Sequence, residues 1–178
     1  MQERLHTLVS LVQDEPGVLT RVAGLFRRRG FNIESLSVGH CELPGLSRMT
    51  IVVEGDDASV DQVTKQLDKL INVVSVTDIT RSDMVARELA LIKVTARSDD
   101  RSEIMQIVDI FRAKIVDVAV DSLIIEVTGG EDKIDSLLRL LLPFGVTEMA
   151  RTGRTALTRG SKSSINAQVT EKEDFRDG

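Results

Sequence analysis

The sequence predicts an α+β protein made of two tandem ferredoxin-like βαββαβ units. Three observations carry that prediction. Short β-prone runs alternate with stretches whose apolar residues recur at helical spacing, glycine and proline punctuate the joints, and the pattern of the first half returns in the second. The chain has 178 residues, 42% hydrophobic and 29% charged, enough for one domain or two small ones with a real core.

Leu5 to Val12 is the first β-prone run, and it ends at Asp14-Glu15-Pro16-Gly17, residues that stop a strand and start a helix. Leu19, Val22, Ala23 and Phe26 then fall at i, i+3, i+4 and i+7. Arg27, Arg28 and Arg29 occupy the last turn of this helix, with Gly30 at its C′ position. Phe31 to Gly39 reads as a strand, Cys41 to Leu46 as a loop around Pro44-Gly45, and the alternation of Met49, Ile51 and Val53 as another strand. After Gly55-Asp56-Asp57, the stripe Val60, Val63, Leu67, Leu70 and Ile71 predicts a second helix, and Val73 to Ile79 the closing strand.

The second half repeats this order. Leu19, Val22, Ala23 and Phe26 map at one constant shift onto Ile104, Ile107, Val108 and Phe111. At a shorter shift Val60, Val63, Leu67 and Leu70 map onto Ile134, Leu137, Leu141 and Phe144, because Val118–Val120 and Leu123–Val127 are joined by a tight Asp121-Ser122 connection. The expected organisation is a unit over 1–80, a polar linker over 81–87, a second unit over 88–160 and a disordered tail over 161–178, where apolar residues are few. Units this small leave a sheet face or edge to cover, so pairing between halves or between chains is expected.

Composition narrows the function. No apolar run approaches the ~20 residues of a spanning helix, and the N-terminus lacks a secretory signal. A single cysteine, Cys41, rules out an internal disulfide framework and suits the cytoplasm. Twenty-three basic residues against 28 acidic ones give a net charge of −5, and there is no Trp or Tyr, which argues against nucleic-acid binding. The only histidines are His6, within a predicted strand, and His40, beside Cys41. His40-Cys41 has no third metal ligand or nucleophile motif beside it, Gly129-Gly130 lacks the Lys-Ser/Thr of a phosphate loop, and Arg27–Arg29 suit a helix C-terminus. No catalytic constellation or metal site emerges.

The most specific stretch is Asp14-Glu15-Pro16-Gly17-Val18-Leu19. A helix N-terminus leaves its first N–H groups unpaired and can take a carboxylate, and Gly17 would let a ligand approach the backbone. Asp14 and Asn32 could accept from an ammonium group, and Val18, Leu19 and Ile33 would favour an aliphatic side chain. Together these residues suit an α-amino acid. A plain N-terminus with Pro in its first turn and no ligand is the competing reading. In the repeat, Asp14 maps to Asp99, but Pro16 maps to Arg101 and Gly17 to Ser102, a copy less suited to binding.

The runs DEPGVLTRVAGLFRRRGFNIESLSVG, PGLSRMTIVVEGDD, KQLDKLINVVSVTDIT, IFRAKIVDV and RTGRTALTRG closely resemble the regulatory small subunit of acetohydroxyacid synthase, or acetolactate synthase, over about residues 4–160. The resemblance implies an ACT domain followed by an ACT-like domain, a homodimer formed through the ACT domain, and feedback inhibition by valine or a related branched-chain amino acid. It places the ligand between ACT domains of two protomers, at positions matching Asp14, Gly17 and Asn32. The family often carries Asn where this chain has Asp14, a departure that bears on affinity and its pH dependence. Catalysis is expected in the large catalytic subunit with thiamine diphosphate, Mg and FAD, leaving this chain without cofactor or active site. A free-standing ACT-type sensor acting on a transcription or transport protein is the alternative.

Overall fold

The first half of the chain runs β1 (Arg4–Gln13), α1 (Val18–Arg28), β2 (Ile33–His40), β3 (Leu46–Gly55), α2 (Asp57–Leu67) and β4 (Val73–Asp78) in a computed structural model, which describes residues 3–160. The strands form one antiparallel sheet in the order β2-β3-β1-β4. Alternation dictates which side chains face the helices. Leu8 and Val12 of β1 and Met49, Ile51 and Val53 of β3 point inward, where Val22, Leu25 and Phe26 of α1 and Val60, Val63 and Leu67 of α2 meet them. Phe31 packs edge-on against Phe26, with ring centroids 6.4 Å apart.

One end of each of these two helices has a clear local cause. The α1 helix stops at Arg29 because Gly30 takes a left-handed φ of +75°, open to glycine at little cost. At the start of α2, Asp56 accepts from the amides of Ala58 (3.0 Å) and Ser59 (3.1 Å). The helical stripe read from the sequence overshoots, since α2 ends at Leu67 and Ile71 lies 74% exposed. Leu70 still packs against the core.

The second half follows with β5 (Met84–Thr95), α3 (Arg101–Ile110), β6 (Lys114–Val118), β7 (Ser122–Gly129), α4 (Glu131–Leu141), a short 3-10 turn and β8 (Val146–Arg151). Its sheet order, β6-β7-β5-β8, is the same topology, with Ile92, Ile104, Val108, Ile125, Ile134 and Leu137 among its core. The βαββαβ repeat expected from the sequence is therefore the architecture of both units. The β6 strand ends at Val118, earlier than the sequence reading, because Ala119–Asp121 make the turn that Ala119 N closes on Ser122 O at 2.9 Å.

Two boundaries differ from those expected. The linker 81–87 is cut short because Met84 already begins β5, and the chain divides between Val85 and Ala86. The second unit ends at Gly153, where 88–160 was expected, and Arg154 returns the chain to the first unit. The closing strand, β9 (Thr155–Thr158), pairs with β5 off the main sheet path. Arg154 N donates to Ser35 Oγ (2.7 Å), Arg154 Nη1 to Thr7 Oγ1 (3.0 Å) and Arg48 Nη2 to Ala156 O (3.3 Å). Thr7 and Arg48 alternate with the core-facing Leu8 and Met49, so these contacts lie on the sheet face opposite the helices. The expected disordered tail over 161–178 lies outside the described residues.

Candidate functional site

Gly17 sits at the N-cap of α1 with φ +87°, and no side chain caps the helix. A Cβ at Gly17 would meet nothing within 4 Å, so the space in front of the helix is open, while the left-handed backbone disfavours any other residue there. The first turn carries no acidic side chain. Val18 N donates to Glu15 O (3.4 Å) and Arg21 N to Gly17 O (3.1 Å), while the N–H groups of Leu19 and Thr20 between them have no side-chain cap, at the positive end of the helix dipole.

Asp14 stands at the rim of this mouth. Its backbone N–H donates to Gly45 O (2.9 Å), and its carboxylate accepts from Ser47 Oγ (3.2 Å) and lies 3.3 Å from His40 Nδ1. The loop between β1 and α1 is held from behind by Asn72, a buried residue just before β4. Asn72 Nδ2 donates to Gln13 Oε1 (2.8 Å) and Glu15 Oε2 (3.1 Å), its Oδ1 accepts from Arg21 Nη1, and its backbone O accepts from Gln13 N (2.9 Å). Nothing in the sequence around Asn72 announces this clasp, because its partners lie 51 to 59 positions away.

The remaining expected site residues divide in two ways. Leu19 is exposed beside the mouth, but Val18 is only 3% exposed and belongs to the core, leaving its backbone rather than its side chain for a ligand. Asn32 and Ile33 lie beyond the other end of α1, about 16 Å away along a helix of this length. There they line an open groove of about 440 Å³ with Ala23, Phe26, Gly30 and Phe31. Asn32 Nδ2 donates to Glu34 Oε1 (2.6 Å). Within one chain Asn32 and the Asp14–Gly17 mouth therefore lie at opposite ends of α1.

The second unit differs at the equivalent place. Arg101 opens α3, and its guanidinium donates to the carbonyls of Ala119 and Val120 (2.6 Å to the latter). Cys41 Sγ is engaged by the carbonyls of Leu46 (3.5 Å) and Leu43 (3.8 Å), and the charged group near His40 is Asp14. Among the described residues no cluster of three or more His, Cys, Asp or Glu could hold a metal ion, and no helix is long and apolar enough to cross a membrane.

Residues 8–75 match the family model for the ACT domain of the acetohydroxyacid synthase small subunit, and residues 87–160 that for the small subunit of acetolactate synthase. The chain belongs to the acetolactate synthase small-subunit family. A probable acetolactate synthase small subunit from Archaeoglobus fulgidus is 59% identical over 88% of this chain and 98% of its own. An acetolactate synthase small subunit from Mycobacterium bovis is 51% identical over 91% and 96%. The crystal structure of the Thermotoga maritima small subunit superposes with a TM-score of 0.83 at 47% identity, covering 89% of this chain and 99% of that one. The acetolactate synthase small subunit is thus a tandem ACT-type protein, a regulatory rather than a catalytic chain, and the free-standing sensor gives way to a subunit with a large catalytic partner.

Proposed function

We propose that this acetolactate synthase small subunit binds valine or a related branched-chain amino acid and transmits feedback inhibition to the large catalytic subunit. The observation that carries the reading is the uncapped mouth of α1, with Gly17 left-handed at the N-cap and Asp14 at the rim. The ligand carboxylate meets the first-turn N–H groups, and its ammonium meets Asp14. Asn32 and Ile33 come from a second copy of the chain, since one protomer separates them from the mouth by the length of α1. The edge position of β2 favours that pairing, because its outer N–H and C=O groups have no neighbouring strand in the sheet. The thiamine diphosphate, Mg and FAD chemistry belongs to the catalytic partner in a cytoplasmic complex, with this chain supplying regulation and support.

Valine titration of the reconstituted activity tests the reading. Gly17→Asp puts a like charge against the ligand carboxylate on a backbone that disfavours a side chain, so it is expected to abolish inhibition while partner binding persists. Asn32→Ala removes one acceptor and is expected to weaken inhibition about 5–150-fold, the equivalent of about 1–3 kcal/mol. Unchanged inhibition curves in both variants, with partner binding confirmed, would remove the site.

A further inference from the structure

Beneath α2, at the end of the sheet where β1 begins, lies a cleft of about 420 Å³ that the amino acid site does not use. It falls within the range of small-molecule sites, about 300–1,000 Å³. His6 forms its floor, with a side chain only 2% exposed. The Nδ1 of His6 is 2.7 Å from Asp78 Oδ2, whereas its Nε2 is buried with no hydrogen bond and faces Asp57 Oδ1 at 3.5 Å. Arg4 Nε, on the same face of β1, is a second buried nitrogen without a hydrogen-bond partner. Buried polar atoms left unpaired are costly and uncommon in native proteins, so two in one cleft call for an explanation.

The walls carry both signs of charge. Arg4 reaches Asp57 Oδ1 and Arg81 reaches Asp57 Oδ2, each at 2.6 Å, and Asp61 lies one turn further along α2, paired with Lys65 of its own helix at 2.6 Å. Asp78 remains a carboxylate: burial pushes its pKa up, but hydrogen bonds from Thr80 and His6 outweigh burial and hold it below the usual range. Two guanidinium groups thus face three carboxylates around one polar floor.

The second unit shows what the corresponding place accepts. Asp61 corresponds to Asp135 in the repeat, and Asp135 Oδ1 takes a guanidinium N–H from Arg151 at 2.6 Å. Arg151 also donates to buried Glu88 (2.7 Å), so that the second unit fills its acidic corner with its own cation. In the first unit the cation at Asp61 is Lys65 of its own exposed helix surface, and among the described residues no arginine from the sheet reaches it. From this geometry we propose that the cleft is a second binding site, taking a small zwitterion of the amino acid class, with its ammonium on Asp61 and Asp78 and its carboxylate on Arg81 and Arg4. A zwitterion satisfies both signs without changing the net charge of the cleft, which neither a simple anion nor a simple cation does.

The test uses the full chain carrying Gly17→Asp, which removes the mouth of α1 from the readout. The protein has two histidines, so His6 ring signals are identified in NMR spectra by comparison with a His40→Asn variant. Millimolar glycine, L-glutamine or L-valine is expected to shift the His6 signals, whereas acetate or methylammonium alone shifts them far less. Asp61→Asn and Arg81→Gln, both exposed and tolerable to the fold, are each expected to weaken the response about tenfold or more. Silence at His6 with all three zwitterions, or equal responses in parent and variants, overturns the proposal. Neither outcome depends on whether valine inhibition is lost in Gly17→Asp.

Discussion

Asn72 does for the α1 mouth what a disulfide or metal does in other loops, tying Gln13, Glu15 and Arg21 to the start of β4 through one buried amide. Asn72→Ala leaves several of those groups without partners and is expected to cost about 1–3 kcal/mol of stability. If the clasp also fixes the mouth, valine affinity should fall roughly tenfold in the folded variant, equivalent to about 1.4 kcal/mol; calorimetry below the unfolding temperature reads this directly. Asp78 makes a separate prediction. Its folded-state pKa lies below the unfolded value, so its contribution is present at neutral pH and is lost as pH falls through the carboxylate range toward the folded value. Urea midpoints should therefore drop on the acid side, and Asp78→Asn should flatten that drop while lowering the midpoint at pH 7. An acid limb unchanged in the variant would remove Asp78 from the account.

At the level of elements, β9 carries more than its four residues suggest. Arg154 and Ala156 engage Ser35, Thr7 and Arg48 on the sheet face away from the helices. A chain ending at residue 153 is expected to lose at least about 2 kcal/mol in its first unit relative to one ending at 160, counting roughly one kcal/mol for each such hydrogen bond. Far-UV circular dichroism in urea measures this in a chain without Trp or Tyr. A fragment stopping near residue 82 likewise lacks the strand that covers its sheet. The contrast with the sequence is instructive. Pro16-Gly17, Gly30 and the alternation of Met49, Ile51 and Val53 act locally, and the strand and helix limits they mark are close to those observed. The polar stretch at 81–87 concealed Met84 and Val85, which extend β5, and RTGRTALT holds no sign that it belongs with residues more than a hundred positions earlier. The same limit applies around the candidate site: the helix start at Gly17 was legible because it is a local event. Val18 was misread because helical periodicity turns its side chain inward with Val22 and Leu25, and Asn72 was invisible because its role exists only once β4 lies beside β1.

On the scale of the whole molecule, α1 separates Asp14 and Gly17 from Asn32, and in the proposed site a second protomer supplies the missing half. That arrangement would make ligand binding and dimerisation one linked equilibrium, so valine should favour the dimer as well as the inhibited complex. The most direct measurement is complementation between two defective chains. Gly17→Asp and Asn32→Ala homodimers should each bind valine poorly, because every site in them carries one lesion. Unfolded together and refolded, the mixed dimer has one site with both lesions and one with neither, so calorimetry should recover valine binding at near-parental affinity in up to half of the sites of each mixed dimer. If the mixture binds no better than the two homodimers measured apart, although mixed dimers have formed, the ligand does not bridge Gly17 of one protomer and Asn32 of its partner, and the central claim is wrong.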